Sequence, residues 1–97
     1  MKQKLRPEAA IALKRFIDEK ASADLDKKAR EQLLKKTIRQ FERAANGSED
    51  RQCVLFRRSK KDKTFSFGYV VEVSIGVLKF DLIASRDDFL DIEPFQE

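Results

Sequence analysis

The chain has 97 residues, of which 39% are charged and 41% hydrophobic; 21 Lys and Arg face 17 Asp and Glu, for a formal net charge of +4. This length fits a single domain burying roughly 60–70% of the surface of its unfolded form, so a modest core forms without disulfide or metal staples. With no histidine and one cysteine, Cys53, zinc sites of the Cys/His type, Cys–His nucleophiles, Ser–His–Asp triads and an intramolecular disulfide are all excluded.

Cys53 sits in the apolar run CVLF, where it reads as a small buried hydrophobe in a reducing cytoplasm. No apolar stretch approaches the ~20 residues of a membrane helix, and MKQKLRPEAA lacks the apolar segment of a signal peptide, so no membrane partner is expected. The three glycines form no phosphate loop, and no cofactor or metal is expected.

In chain order, residues 2–5 precede Arg6-Pro7 and are a candidate edge strand, because a residue before proline is pushed to extended geometry. Pro7 and Glu8 suit a first helical turn, and Ala9, Leu13, Phe16 and Ile17 recur at helical spacing, which predicts a helix over about 7–20. Asp24 is the expected cap of a second helix with the apolar stripe Leu34, Ile38, Phe41 and Ala45, a pair Asp26–Arg30 on its wet face, and Asn46-Gly47 as a left-handed stop. The two form a helical hairpin over 7–46.

From Gln52 the period changes to two. Cys53 to Phe56, then Phe65, Phe67, Tyr69, Val71 and Val73, then Leu78, Phe80, Leu82 and Ala84 predict antiparallel strands over 52–84, joined by SKKDK and by SIG. Ser85-x-x-Asp88 resembles a capping box opening a brief turn or helix in an acidic tail, 85–97. The expected fold is a single α+β domain, its helical hairpin packed on an antiparallel sheet of three main strands. Leu13, Phe16, Leu34, Ile38, Phe41, Phe67, Tyr69, Phe80 and Leu82 are expected in its core.

The stretch RRSKKDKTFSFGYV carries Arg57, Arg58, Lys60, Lys61 and Lys63 within seven positions. Exposed lysines on a hairpin protect against edge-to-edge pairing, but five crowded cations exceed that need and suit phosphates. Both readings of this tip, inert turn and phosphate contact, stand on the sequence. Lys63, Phe65 and Phe67 match part of the RNA-recognition signature, yet Thr64 and Ser66 replace its small residues and the order of elements differs. The aromatics are therefore expected in the core rather than as a base-stacking platform.

KQKLRPEAAIALKRF, DKKAREQLLKKTIRQFE and LFRRSKKDKTFSFGYVVEVSIGVLKFDLIASRDDF together resemble the RelE/ParE toxin superfamily across nearly the whole chain. The resemblance implies action on mRNA in the ribosome or on another nucleic-acid-handling host protein such as gyrase, and an antitoxin partner. It implies that Arg86 is the basic residue after the last strand and that Arg57, Arg58, Lys60, Lys61 and Lys63 face RNA. Cleavage would need fixed cations at the phosphate and a proton shuttle, for which Arg86, Lys60 and Lys61 are the candidates. Where many ribonucleases of the superfamily carry arginine in the penultimate strand, this chain has Gly68. The alternative is a non-enzymatic regulator or inhibitor from a phage or mobile element, binding a host protein complex or nucleic acid. For that class Phe89, Leu90, Ile92 and Phe95 among the tail's carboxylates are the candidate protein-docking residues, unless they close the domain's own core.

Overall fold

The computed structural model describes residues 2–21, 25–47, 53–57 and 65–92. They form an α+β chain in the order β1 (Lys2–Leu5), α1 (Pro7–Ala21), α2 (Lys27–Asn46), β2 (Cys53–Arg57), β3 (Phe65–Ile75), β4 (Leu78–Ser85), a 3-10 turn (Arg86–Asp88) and β5 (Phe89–Ile92).

Helix α1 starts at Pro7 with Glu8 in its first turn, where a carboxylate meets the positive end of the helix dipole. It buries Leu13, Ile17 and Ala21, a stripe at intervals of four. The cap of α2 is Asp26, whose Oδ1 accepts the Ala29 N–H at 2.7 Å; the expected cap, Asp24, lies outside the described residues. Arg30 does not form a side-chain ion pair with Asp26. Its Nη1 stands 3.6 Å from Asp18 Oδ1 of α1, and Lys14 Nζ is 3.5 Å from the other oxygen of the same carboxylate. At the far end Gly47 is extended, with φ −88, and donates its N–H to the Arg43 carbonyl at 2.7 Å, so it is not a left-handed stop.

The buried face of α2 is Thr37, Phe41 and Ala44, with Leu34, Ile38 and Ala45 half-buried beside it. Thr37 is absent from the apolar stripe read from the sequence, yet it is 1% exposed. Its hydroxyl donates to the Leu33 carbonyl at 2.8 Å, which removes the cost of taking it out of water.

Strand β3 pairs antiparallel with β2, from Cys53↔Tyr69 to Arg57↔Phe65, and with β4, from Gly68↔Ser85 to Ile75↔Leu78. The β3–β4 connection is the two-residue turn Gly76-Val77, whereas SIG placed it over residues 74–76, and Gly76 supplies the positive φ of 61 that such a turn requires. Val71, Val73, Ile75 and Ala84 join the residues of α1 and α2 in the core, and Phe16 meets Phe80 edge-to-face at 5.2 Å between centroids.

Phe67 departs from expectation. It shares the strand periodicity of Val71 and Val73, but the buried run ends with half-buried Tyr69, and Phe67 is 51% exposed one step beyond it. Period two assigns a face to a residue and not how far along the strand that face stays covered.

Residues 2–5 do form a strand, and their partner is the segment expected as a tail. β1 pairs antiparallel with β5 from Lys2↔Ile92 to Leu5↔Phe89, in a two-stranded ladder of its own. The helical turn is limited to residues 86–88, with the Asp88 carboxylate accepting the Ser85 N–H at 2.8 Å. Helix α2 satisfies the other edge of β1 with side chains. Asn46 accepts the Gln3 N–H at Oδ1 and donates Nδ2 to the Gln3 carbonyl at 2.7 Å, while the Leu5 N–H reaches Glu42 Oε2 at 3.0 Å. Arg6 then ties the end of β1 to the 3-10 turn through the Asp87 and Asp88 carbonyls, at 2.9 and 2.7 Å. Among the described residues no helix is long and apolar enough to cross a membrane.

Candidate nucleic-acid interface

The register of β3 on β4 builds the site. Because Ser85 stands opposite Gly68, the next residue of each strand places Arg86 beside Phe67. The Arg86 guanidinium carbon lies 5.2 Å from the Phe67 ring centroid, a cation–π contact on an open surface. Both residues are exposed. Two residues further along β3, Tyr69 packs edge-to-face on Phe89 at 5.5 Å, which ties the exposed end of the strand to the core through Phe89.

A cleft of about 400 Å³ opens between these elements, lined by Gln3, Ala45, Tyr69, Arg86 and Phe89. β1 contributes Gln3, the last turn of α2 contributes Ala45, β3 contributes Tyr69, and Arg86 and Phe89 come from the chain after β4. An amide, a phenol and a guanidinium thus line one hollow with a phenyl ring, beside the exposed Phe67–Arg86 pair. Such a set can stack a planar base and hold a phosphate by charge-assisted hydrogen bonds. Neither Gln3 nor Tyr69 stands out as a site residue in the sequence, since they sit on strands separated by both helices and β2, and only the fold brings them together.

Arg57 and Phe65, the described residues that flank the basic segment, pair close to this surface. Arg57 ends β2 opposite Phe65 at the start of β3, so the connecting segment leaves the ladder two residues, or about 7 Å, from Phe67. Arg58, Lys60, Lys61 and Lys63 lie in that segment, outside the described residues. The candidate docking residues of the tail have a different fate. Phe89 is 5% exposed and belongs to the core, and Leu90 is half-buried. Ile92 pairs its backbone with Lys2, and Phe95 lies outside the described residues. A ring already packed against Tyr69 is not free to enter a partner's groove.

Among the described residues no group of His, Cys, Asp or Glu side chains could hold a metal ion. A second hollow of about 210 Å³ between α1 and α2 is rimmed by Lys14, Asp18 and Arg30, whose charges are already engaged in the ion pairs across the helices. The chain matches no protein-family model, no curated protein and no solved structure. The functional reading therefore rests on the residues themselves.

Proposed function

We propose that the protein binds single-stranded RNA across the Phe67–Arg86 pair and the adjoining cleft, with the basic 57–63 segment on the flanking phosphates, as a small toxin-like protein of the RelE/ParE type acting on mRNA or the ribosome. The observation that carries this reading is the exposed Phe67 ring under the Arg86 guanidinium. A half-exposed phenyl under a guanidinium suits stacking, since bases splayed from single strands stack on aromatic rings and guanidinium planes. Were the bound RNA cut, the 2′-oxygen would bond to the neighbouring phosphorus as the P–O5′ bond breaks, giving a 2′,3′-cyclic phosphate and a free 5′-hydroxyl, and Arg86 would stabilise the charge developing on the phosphoryl oxygens. Tyr69, or Lys60 and Lys61 from the tip, would take the proton from the 2′-OH and supply one to the leaving 5′-oxygen.

A second reading, a regulator that binds nucleic acid or a nucleic-acid-handling complex without cutting, is favoured by Gly68. It is buried within β3 and carries no side chain where the resembled ribonucleases have arginine.

Fluorescence anisotropy with a labelled single-stranded RNA oligomer tests the binding claim. Phe67→Ala is expected to weaken binding by roughly 5- to 150-fold, the equivalent of about 1–3 kcal/mol for one stacked base, and to leave the salt dependence unchanged because no charge is removed. Replacing Lys60, Lys61 and Lys63 with alanine should instead flatten the dependence of log K on log salt by about 0.7 for each phosphate that is no longer neutralised. No binding by the parent, or equal binding by Phe67→Ala, would overturn the reading. Loss of the RNA band with a 2′-hydroxyl strand but not with its 2′-deoxy counterpart separates cleavage from binding alone.

A further inference from the structure

The edge of β4 away from β3 has no strand beside it among the described residues. A two-residue turn is closed by a hydrogen-bonded pair, here Ile75 and Leu78, and such pairs recur at every second position. The backbone groups of Leu78, Phe80 and Leu82 therefore bond to β3, and those of Lys79, Asp81 and Ile83 point outward from the sheet edge. Around this edge the surface is unusually apolar: Val77 is 98% exposed, Leu78 54% and Ile83 48%. Long edges of this kind are pairing templates unless charge blunts them.

The charges on this edge do not simply blunt it. Lys79 and Asp81 stand two residues apart on one face of β4, and in an antiparallel pair of β4 strands centred on Phe80 each lysine falls opposite the other strand's aspartate. The same register sets Val77 opposite Ile83 and Leu78 opposite Leu82. It also makes Lys79 and Asp81 a hydrogen-bonded pair, as their outward backbone groups require. Shifting the centre to Asp81 would set aspartate against aspartate, and shifting it to Leu82 would leave Lys79 opposite Ser85. Within the monomer, moreover, Asp81 lies directly opposite Glu72, an unfavourable cross-strand pair of like charges. Lys79 meets Glu72 only at 4.0 Å on an open surface. A lysine from a second strand on the far side of Asp81 would offset that repulsion.

We propose that β4 is a docking edge for a second copy of this chain, the two strands pairing antiparallel about a two-fold axis at Phe80, with Lys79 of each copy opposite Asp81 of the other. The interface is isologous, as a two-fold dimer requires, and joins β2-β3-β4 of one copy to the same strands of the other in one continuous sheet.

Sedimentation equilibrium of the full chain, read with backbone hydrogen exchange, tests this directly. The parent should dimerise, and the amides of Lys79, Asp81 and Ile83 should become protected as concentration rises. Asp81→Lys should weaken the dimer by roughly tenfold or more, because it sets lysine opposite lysine twice. Its monomer should melt no lower than the parent, since the same change replaces the Glu72–Asp81 repulsion with an attraction. The exchanged pair Lys79→Asp with Asp81→Lys should restore the dimer. A parent that stays monomeric overturns the proposal, as does a dimer indifferent to Asp81→Lys or not restored by the exchange. Protection of these amides that does not vary with concentration would mean that the edge is covered by the chain's own residues, and would equally overturn it.

Discussion

Asn46 offers a sharp test of how the fold closes. Its side chain makes three hydrogen bonds, two with the backbone of Gln3 in β1 and one from Nδ2 to the Glu42 carbonyl at 2.7 Å in its own helix. Asn46→Ala removes all three. The bond within the helix is readily replaced by water at this exposed position, whereas the two to Gln3 hold a strand of four residues against α2. At about 0.5–1.5 kcal/mol net for each bond, and with solvent able to reach both groups of Gln3, the expected loss is about 1–2 kcal/mol. For a domain of this size that lowers the melting temperature by about 4–16 °C. Asn46→Asp should be worse than alanine, because it turns a second acceptor onto the Gln3 carbonyl and adds negative charge at a helix C-terminus. Thermal unfolding followed by circular dichroism measures the loss, and hydrogen exchange locates it. The Gln3 amide should lose protection in Asn46→Ala, while the Leu5 amide, held by Glu42 at 3.0 Å, should keep more of its own. A variant melting within about 1 °C of the parent, or a Gln3 amide that exchanges freely in the parent, would refute this account of the β1 edge.

Phe41 is 3% exposed at the centre of the core, so Phe41→Ala should cost about 3–5 kcal/mol, read as a lower urea midpoint; an unchanged midpoint would remove Phe41 from the core. Gly76→Ala has open space around the added methyl but must hold φ 61, so a loss of about 1–2 kcal/mol is expected from backbone strain alone. Gly76→Asn, which tolerates that conformation better, should lose less on the same unfolding curve.

The elements legible in the sequence are those whose signal is local. Proline at the start of α1, the stripe Leu13–Ile17 and the switch to period two after Gln52 each act within a few residues, and each corresponds to an element of the structure. Thr37 and Phe67 escape such a reading for one shared reason. Residue type and period stand in for burial, whereas Thr37 is buried with its hydroxyl satisfied by the Leu33 carbonyl, and Phe67 lies beyond the buried run of its strand. The β1–β5 ladder is out of reach, because pairing Lys2 with Ile92 is a relation between the two ends of the chain that no local pattern encodes. Of the candidate site, Arg86 and the cations of residues 57–63 are visible in the sequence. The register that sets Arg86 against Phe67 follows from the Gly76-Val77 turn, and a turn placed one residue earlier rotates the pairing of every residue beyond it.

Strand β3 is buried towards one end and exposed at Phe67 towards the other. Val71, Val73 and Ile75 are held at 4% exposure or less, while Phe67 stands half in solvent on the same strand. A single strand therefore carries both core contacts and the surface proposed for RNA, with the two separated along its length rather than mixed. Under the RNA-binding proposal, substitutions at Phe67 should alter what is recognised with little effect on folding, because surface changes away from buried contacts typically stay within about 0.5 kcal/mol. Under the same proposal the binding surface can change while the core sequence stays under constraint, which relaxes the trade between activity and stability.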